Sequence, residues 1–483
     1  MDTATAAARR HVAWFTAIDW ALLLLVFALA ARQLFVPPIV GMADQGDYVR
    51  VMGPLGLAHV GTSYEDTVFL WVQPTYRVAA VDMAPFLPSA ELLFAGIARG
   101  LDRLVSSDGL FDLRLLGGVH LAAYLAAIWL LLRGARALPG PARVVAWLGT
   151  LAVAADVACV AYLNSFYSEP AALVFLFATL GVALGEIARE VPSRSGLWTY
   201  SVCAALLAST KPQHYALAVP LAALPLALLA SRHWRTRWTT VVPLSAGLMV
   251  LAALLFASLP AWQKHPARWH SVFHGVLAVS PFPAEDLAEF GLEPDLARFR
   301  LAYAIDVDGK QVPAPYMEVG GRFDFLDIAR FYVRHPDRLV AVAAACARDA
   351  FVWREPRLGN YTRESGRPGS AHAPSYTGWS PLEDRAFPKR LWFLVVFFAV
   401  FGGVAAWELR RGLDTAAGRT AAFCLTVAAM AVLAFLVVVV AGGVENVVIH
   451  LFLFQVLFDV CLFAGLAWVA TRLPVRLPAP PGR

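Results

Sequence analysis

The chain has 483 residues, 59% of them hydrophobic and 16% charged, with a mean hydropathy of +0.60. Soluble chains carry about a quarter of their residues as charges, so a soluble globular fold is excluded and an all-α polytopic membrane protein is indicated. The net charge of +5 calls for no nucleic acid, because arginines at the cytoplasmic ends of transmembrane helices give the same excess.

The chain opens on "MDTATAAARRHVAWF", with Arg9 and Arg10 ahead of the first apolar run. That run is about 20 residues long, a membrane-spanning length, and has no small-residue cleavage site. It reads as a retained anchor rather than a signal peptide. Further apolar windows predict about ten transmembrane helices, near 17–36, 115–132, 143–163, 169–187, 197–210, 213–231, 239–260, 390–409, 419–441 and 447–470. With the N-terminus inside, the even-numbered helices end at Arg133/Arg136/Arg143, Arg189/Arg194, Arg232/Arg235/Arg237, Arg410/Arg411/Arg419 and Arg472/Arg476. Every expected cytoplasmic loop is therefore basic, and both termini are expected on the cytoplasmic side.

This topology divides the chain into a cytoplasmic N-terminus (1–16), a transmembrane core (17–262) with a first outer loop at 37–114, a large outer loop at 263–389, C-terminal transmembrane helices at 390–470, and a cytoplasmic tail at 471–483. In the first outer loop, "SAELLFAGIARGLDRLV" (89–105) has apolar residues at helical spacing and predicts an amphipathic helix along the membrane surface. In the second, residues 324–353 predict helices interrupted at Pro336, and the Gly/Pro/Ser-rich stretch 359–378 predicts a mobile loop. The five cysteines show no CxxC or Cys/His spacing and read as small buried hydrophobes.

The unusual polar groups converge on the outer membrane boundary. Asp44 and Asp47 follow the first helix in "VGMADQGDYVRVM". "NSFYSEP" brings Asn164, Tyr167 and Glu169 to the same level, "STKPQHY" brings Lys211 and His214, and "GGVENVVIH" brings Glu445 and His450. Ionisable groups at membrane depth are rare and tend to be functional. Each has a plainer reading as well. Glu169 before Pro170 suits a helix N-terminus, Lys211 suits an interfacial anchor, and His450 suits a buried core position. Asp156 and Asp459 read as structural partners. Asp44 and Asp47 stand above the rest, since the stretch holds two acids, a flexible Gly46 and no basic residue before Arg50.

Such a surface suits sugar transfer from an amphiphilic donor whose phosphate lies at the interface. A carboxylate, Asp44 or Asp47, takes the proton from the acceptor hydroxyl. Lys211 and His214 stabilise the departing phosphate, and a groove between helices holds the lipid tail. A single displacement of this kind inverts the anomeric configuration.

Four segments in order, "ADQGDYVRVM", "NSFYSEP", "HSVFHGVLAVSPFPAEDLAEFGLEPDL" and "HLFLFQVLFD", resemble the GT-C superfamily of integral membrane glycosyltransferases. More narrowly, they are similar to a bacterial glycan-biosynthesis hexosyltransferase family linked to surface-glycan assembly of the S-layer glycan type. The resemblance runs from about 37 to 460 and departs at Gln45, where Asn is common. It implies a hexosyltransferase of the bacterial inner membrane with its active site on the periplasmic side. The implied donor is a polyprenyl-phosphate-linked sugar and the acceptor a glycan or lipid-linked glycan. The implied catalytic base is Asp47 first and Asp44 second. The segment from His270 to Phe299 is expected to cover the site or hold the acceptor. No cofactor is called for. A divalent metal is left open, since the acids form no spacing that identifies a cation site. A polysaccharide polymerase using outer-loop arginines (Arg322, Arg330, Arg334, Arg338, Arg348) and a lipid or solute transporter are the alternatives.

Overall fold

The computed structural model describes residues 3–61, 70–83, 86–302 and 316–473, with side chains from Thr16 onward. Arg9 and Arg10, and Arg476 with the end of the tail, lie outside the described side chains.

Long apolar runs become helices because a backbone in lipid must satisfy its own hydrogen bonds. The principal helices are α1 (Thr3–Phe35), α2 (Glu91–Val105), α3 (Leu113–Ala135), α4 (Gly140–Ala154), α5 (Glu169–Ile187), α6 (Arg194–Ala208), α7 (Ala218–Leu228), α8 (Trp238–Ala257), α9 (Ala261–Trp269), α10 (Phe325–Arg334), α11 (Pro336–Cys346), α12 (Leu391–Leu409), α13 (Ala416–Ala441) and α14 (Phe452–Ala470). Among the described residues, seven helical segments are long and apolar enough to cross a membrane. An eighth counts if α4 and the following helical residues Val157–Leu163, bent by 58°, form one span. All ten expected windows are helical. However, 197–210 and 213–231 yield α6 and α7, only 15 and 11 residues long. At about 1.5 Å per residue both fall short of a hydrocarbon core of about 30 Å. Pro212 opens the 3₁₀ turn Pro212–Leu217 that separates them.

Helix α5 sits at the centre of the bundle, whereas α8 and α12 turn most of their apolar side chains outward. Helices α3 and α5 cross at Gly134 and Gly181, where a Cβ on either would run into the partner's backbone. Gly181→Leu is therefore expected to force the pair apart, costing about 1–3 kcal/mol or more, read as a lowered unfolding midpoint in detergent.

One end of the bundle is tied by charge. Asp19 accepts from Arg136 at 2.8 Å, Arg143 at 3.3 Å and the Trp147 indole at 2.8 Å. Glu408 pairs with Arg411 and Arg472, and Arg419 donates to Ile187 O. Chain reversal then carries the polar turns at 44–47, 164–169, 211–214 and 445–450 to the opposite end.

Among the described residues, five short strands lie at that end: β1 (Val40–Met42), β2 (Leu57–His59), β3 (Thr75–Val78), β4 (Leu110–Asp112) and β5 (Leu358–Tyr361). They form an antiparallel β1–β5 pair and an antiparallel β2–β3–β4 sheet. The β1–β5 pairing joins the two outer segments. Helix α2 confirms the amphipathic expectation in inverted form. Glu91, Arg99 and Asp102 face the protein, while Leu93, Ile97, Leu101 and Leu104 are exposed.

Helices α10 and α11 break at Pro336 as expected. The stretch 359–378, expected as a mobile loop, is tied at both ends. Asp156 caps the helical turn after the bend, accepting Ala158 N at 2.9 Å. It also accepts the main-chain N–H groups of Gly378, Trp379 and Ser380 at 3.1, 2.9 and 3.0 Å. A buried carboxylate thus anchors the far end of that stretch, and β5 anchors its start. Beside the bend, a groove of about 410 Å³ is lined by Leu29, Leu151, Ala155, Asp156, Tyr376 and Trp379, among others. The segment 270–299 is a packed cap: Val272, Phe273 and Val276 are fully buried, and Phe273 stacks on Trp269 at 3.6 Å.

Candidate active site

The turn after β1 is built by Asp44. Its Oδ1 accepts the main-chain N–H of Gly46 at 2.7 Å and of Tyr48 at 3.2 Å. This fold-back needs Gly46 at φ +96°, a conformation that favours glycine. Oδ2 of Asp44 meets His59 Nε2 at 3.1 Å, and His59 Nδ1 meets Gln73 Oε1 at 3.0 Å. Burial lifts the Asp44 carboxyl above its ordinary range, against the pull of His59. Burial alone would lower His59, but its bonds to Asp44 and Gln73 outweigh it and raise it. Both oxygens of Asp44 are therefore spent on shaping the turn.

Asp47 is different. Its side chain is 32% exposed, against 5% for Asp44. Among the described residues it pairs with Arg50, at 3.0 Å, and the Arg50 guanidinium lies 5.9 Å from the Trp262 ring. Of the two acids, Asp47 is the more accessible carboxylate.

Tyr167 closes the turn from α5's side, its phenol oxygen accepting the Gln45 N–H at 3.2 Å. Burial, then the charges of Asp47, Asp44 and Glu355, keep the phenol protonated. Asn164 is fully buried, and its amide donates to Leu34 O and Val40 O, both at 3.0 Å. It braces the end of α1 against β1.

A second cluster lies at the start of α5. Lys211 Nζ meets the buried Glu169 Oε1 at 2.6 Å. Beside it, His120 Nε2 meets Glu91 Oε1 at 2.7 Å, both side chains fully buried. The Lys211 charge is thus offset by a carboxylate. His214 bonds Thr210 Oγ1 through Nδ1 at 2.7 Å. Burial, with help from Lys211 and His450, pushes its ring down to about 3. Thr210 Oγ1 gives its own proton to Leu207 O at 2.7 Å, so the neutral His214 ring donates through Nδ1 and keeps Nε2 as an acceptor, which suits a hydroxyl rather than a phosphate oxygen.

The third cluster is centred on Glu445, whose Oε2 lies 3.4 Å from His450 Nε2 and 3.6 Å from His270 Nδ1. Burial would raise the Glu445 carboxyl, but the His450 hydrogen bond and the neighbouring histidines hold it down at about 2. Burial pushes His270 down to about 4. The ring of His274 packs on His270 at 5.2 Å. Gln213 ties this cluster to the second by donating to His450 O at 3.3 Å.

Sequence reading missed several members. Glu355 and Arg357 carried a faint signal, a lone acid between two arginines in "WREPR". His270 and His274 sat four apart in a noted segment, and His59 and Gln73 gave no signal. Burial pushes the Glu355 carboxyl up to about 7, with Arg357 pulling the other way. The folded protein then holds a proton that the unfolded chain has lost, so stability falls as pH rises from about 4.5 to about 7. Glu355→Gln is expected to flatten that slope, worth up to about 3 kcal/mol at neutral pH, in thermal unfolding followed across this range. Among the described residues, no three His, Cys, Asp or Glu side chains are placed to hold a metal ion.

Residues 7–478 match the family model described as the YfdI N-terminal transmembrane domain. The chain belongs to this family. No curated protein matches it. A YfdI-type transmembrane domain over nearly the whole chain fits a membrane protein of glycosyltransferase-like type. In this YfdI-type domain the two outer segments, not the apolar helices alone, frame the polar clusters.

Proposed function

We propose that this protein transfers a hexose or related sugar from a polyprenyl-phosphate-linked donor to a cell-surface glycan or lipid-linked acceptor. The reaction takes place at the periplasmic face of a bacterial inner membrane. The observation that carries the reading is the pairing of an accessible Asp47 with a turn pinned by Asp44, at the bundle end opposite the arginine-rich one.

Asp47 takes the proton as the acceptor hydroxyl oxygen forms its bond to the anomeric carbon. The bond from that carbon to the phosphate oxygen breaks, and polyprenyl phosphate leaves with the electron pair. One displacement inverts the configuration. Lys211 supplies the cation nearest Glu169 in the neighbouring band, and His214, Glu445 and His450 supply polar contacts to the donor. Tyr167 and Asn164 hold the turn in place. The groove beside Asp156 suits a lipid tail, since apolar side chains make up most of its wall.

The test uses purified protein in vesicles with a radiolabelled polyprenyl-phosphate hexose and lipid-linked glycan acceptor. Label is expected to move to the acceptor with inverted linkage. A donor left intact while a solute crosses the vesicle wall discards the transferase reading in favour of transport.

A further inference from the structure

The turn carrying Asp44 and Asp47 belongs to the first outer segment, yet much of what holds it comes from the second. Ala43 donates its main-chain N–H to Arg357 O at 3.0 Å. The Arg357 guanidinium donates to Gln45 Oε1, the side chain between the two aspartates, and reaches Glu355 Oε2 at 3.3 Å. Glu355 Oε1 accepts the Arg357 main-chain N–H at 3.0 Å. One arginine thus grips the turn through both its main chain and its side chain, with a carboxylate behind it.

We propose that Arg357 is a positioning residue of this site, aiming the Asp47 turn from the second outer segment while Glu355 steadies its guanidinium. The kinetic consequence rests on the transferase reading; the structural one does not. The guanidinium fork engages Gln45 and Glu355 together, which a lysine's point charge does less well. A misplacement of about 1 Å at a reacting group costs on the order of 10²-fold in rate, so a loosened turn is a slow one. The groups facing Glu355 are Arg357 and His372 from its own segment, and Tyr162 and Tyr167 from the turn before α5. Through Tyr167 come the charges of Asp44 and Asp47.

The experiment compares the full-length protein with Arg357→Ala, Arg357→Lys, Glu355→Gln and Gln45→Ala. Hydrogen exchange is followed over residues 43–48, and rate against pH is measured in parallel. Arg357→Ala is expected to speed exchange there about tenfold and to lower kcat on the order of 10²-fold with little change in KM. Arg357→Lys recovers part of both. The rate limb set by Glu355, near pH 7 in the parent, moves upward in Arg357→Ala and disappears in Glu355→Gln. Unchanged exchange in Arg357→Ala, or a rate limb unmoved in both variants, overturns the proposal. If Arg357→Ala does not fold, Gln45→Ala removes only the side-chain contact, and parent-like exchange in that variant overturns it too. Faster exchange in a protein whose parent transfers no sugar keeps the positioning role and discards the transferase reading.

Discussion

Asp47→Asn is expected to lower the rate of sugar transfer by about 10²–10⁴-fold, the usual worth of a positioned general base. The unfolding midpoint should stay at the parent's value. The amide keeps the size of the side chain and can still accept from Arg50, but it cannot take the acceptor's proton. Asp44→Ala is expected to lower stability as well as rate. It removes the acceptor of two main-chain N–H groups and the partner of His59, so the turn loosens and stability falls by about 1–3 kcal/mol. Initial rates and thermal unfolding on the same purified samples separate the two. An Asp47→Asn protein with the parent's rate removes Asp47 as the base, and a dead but stable Asp44→Asn would move that role to Asp44.

Lys211→Met is expected to cost about 3–5 kcal/mol, because it strands a buried Glu169 without its counter-charge. Glu169 is 2% exposed and its Oε2 already lacks a hydrogen-bond partner, so little is on hand to replace the ammonium. Adding Glu169→Gln to Lys211→Met should recover most of the loss, as a neutral pair of similar volume carries no stranded charge. The measurement is the unfolding midpoint of both single variants and the double variant. If Lys211→Met is as stable as the parent, the pair does not hold α5 to the turn before α7.

Apolar windows located the helices because periodicity and length are local properties. They overcounted the membrane-length helices at α6 and α7, where Pro212 and a polar turn divide one apolar stretch into two short pieces. The acids of the first outer loop were equally legible, as carboxylates beside a membrane exit need a reason. Their division of labour was not. Asp44 and Asp47 differ in burial and in partners, and those partners come from His59, Gln73, Tyr167 and Arg50 after folding. Glu355 and Arg357 were hidden for the same reason: more than three hundred positions separate Arg357 from Gln45, and no local pattern records that contact. The pairing of Glu169 with Lys211 was hidden too, although each residue had been singled out, because sequence gives the level of a turn but not its neighbours. At 359–378, Gly, Pro and Ser content does not reveal a remote carboxylate such as Asp156 gathering three main-chain N–H groups at the end of the stretch.

The pairing of β1 with β5 has a consequence for biosynthesis. The ribosome delivers the aspartate turn early and its holder, Leu358–Tyr361 with Arg357, more than three hundred positions later. Domains generally order from the N-terminus during synthesis, but here the β1 edge has no strand to pair with until the later segment emerges beyond the membrane. A nascent chain stalled before residue 355 would carry its first helices in the bilayer and its acids at the surface, with the β1 edge still open. Emergence of the second outer segment, rather than insertion of the first helices, is then the event that sets the carboxylate in its working place.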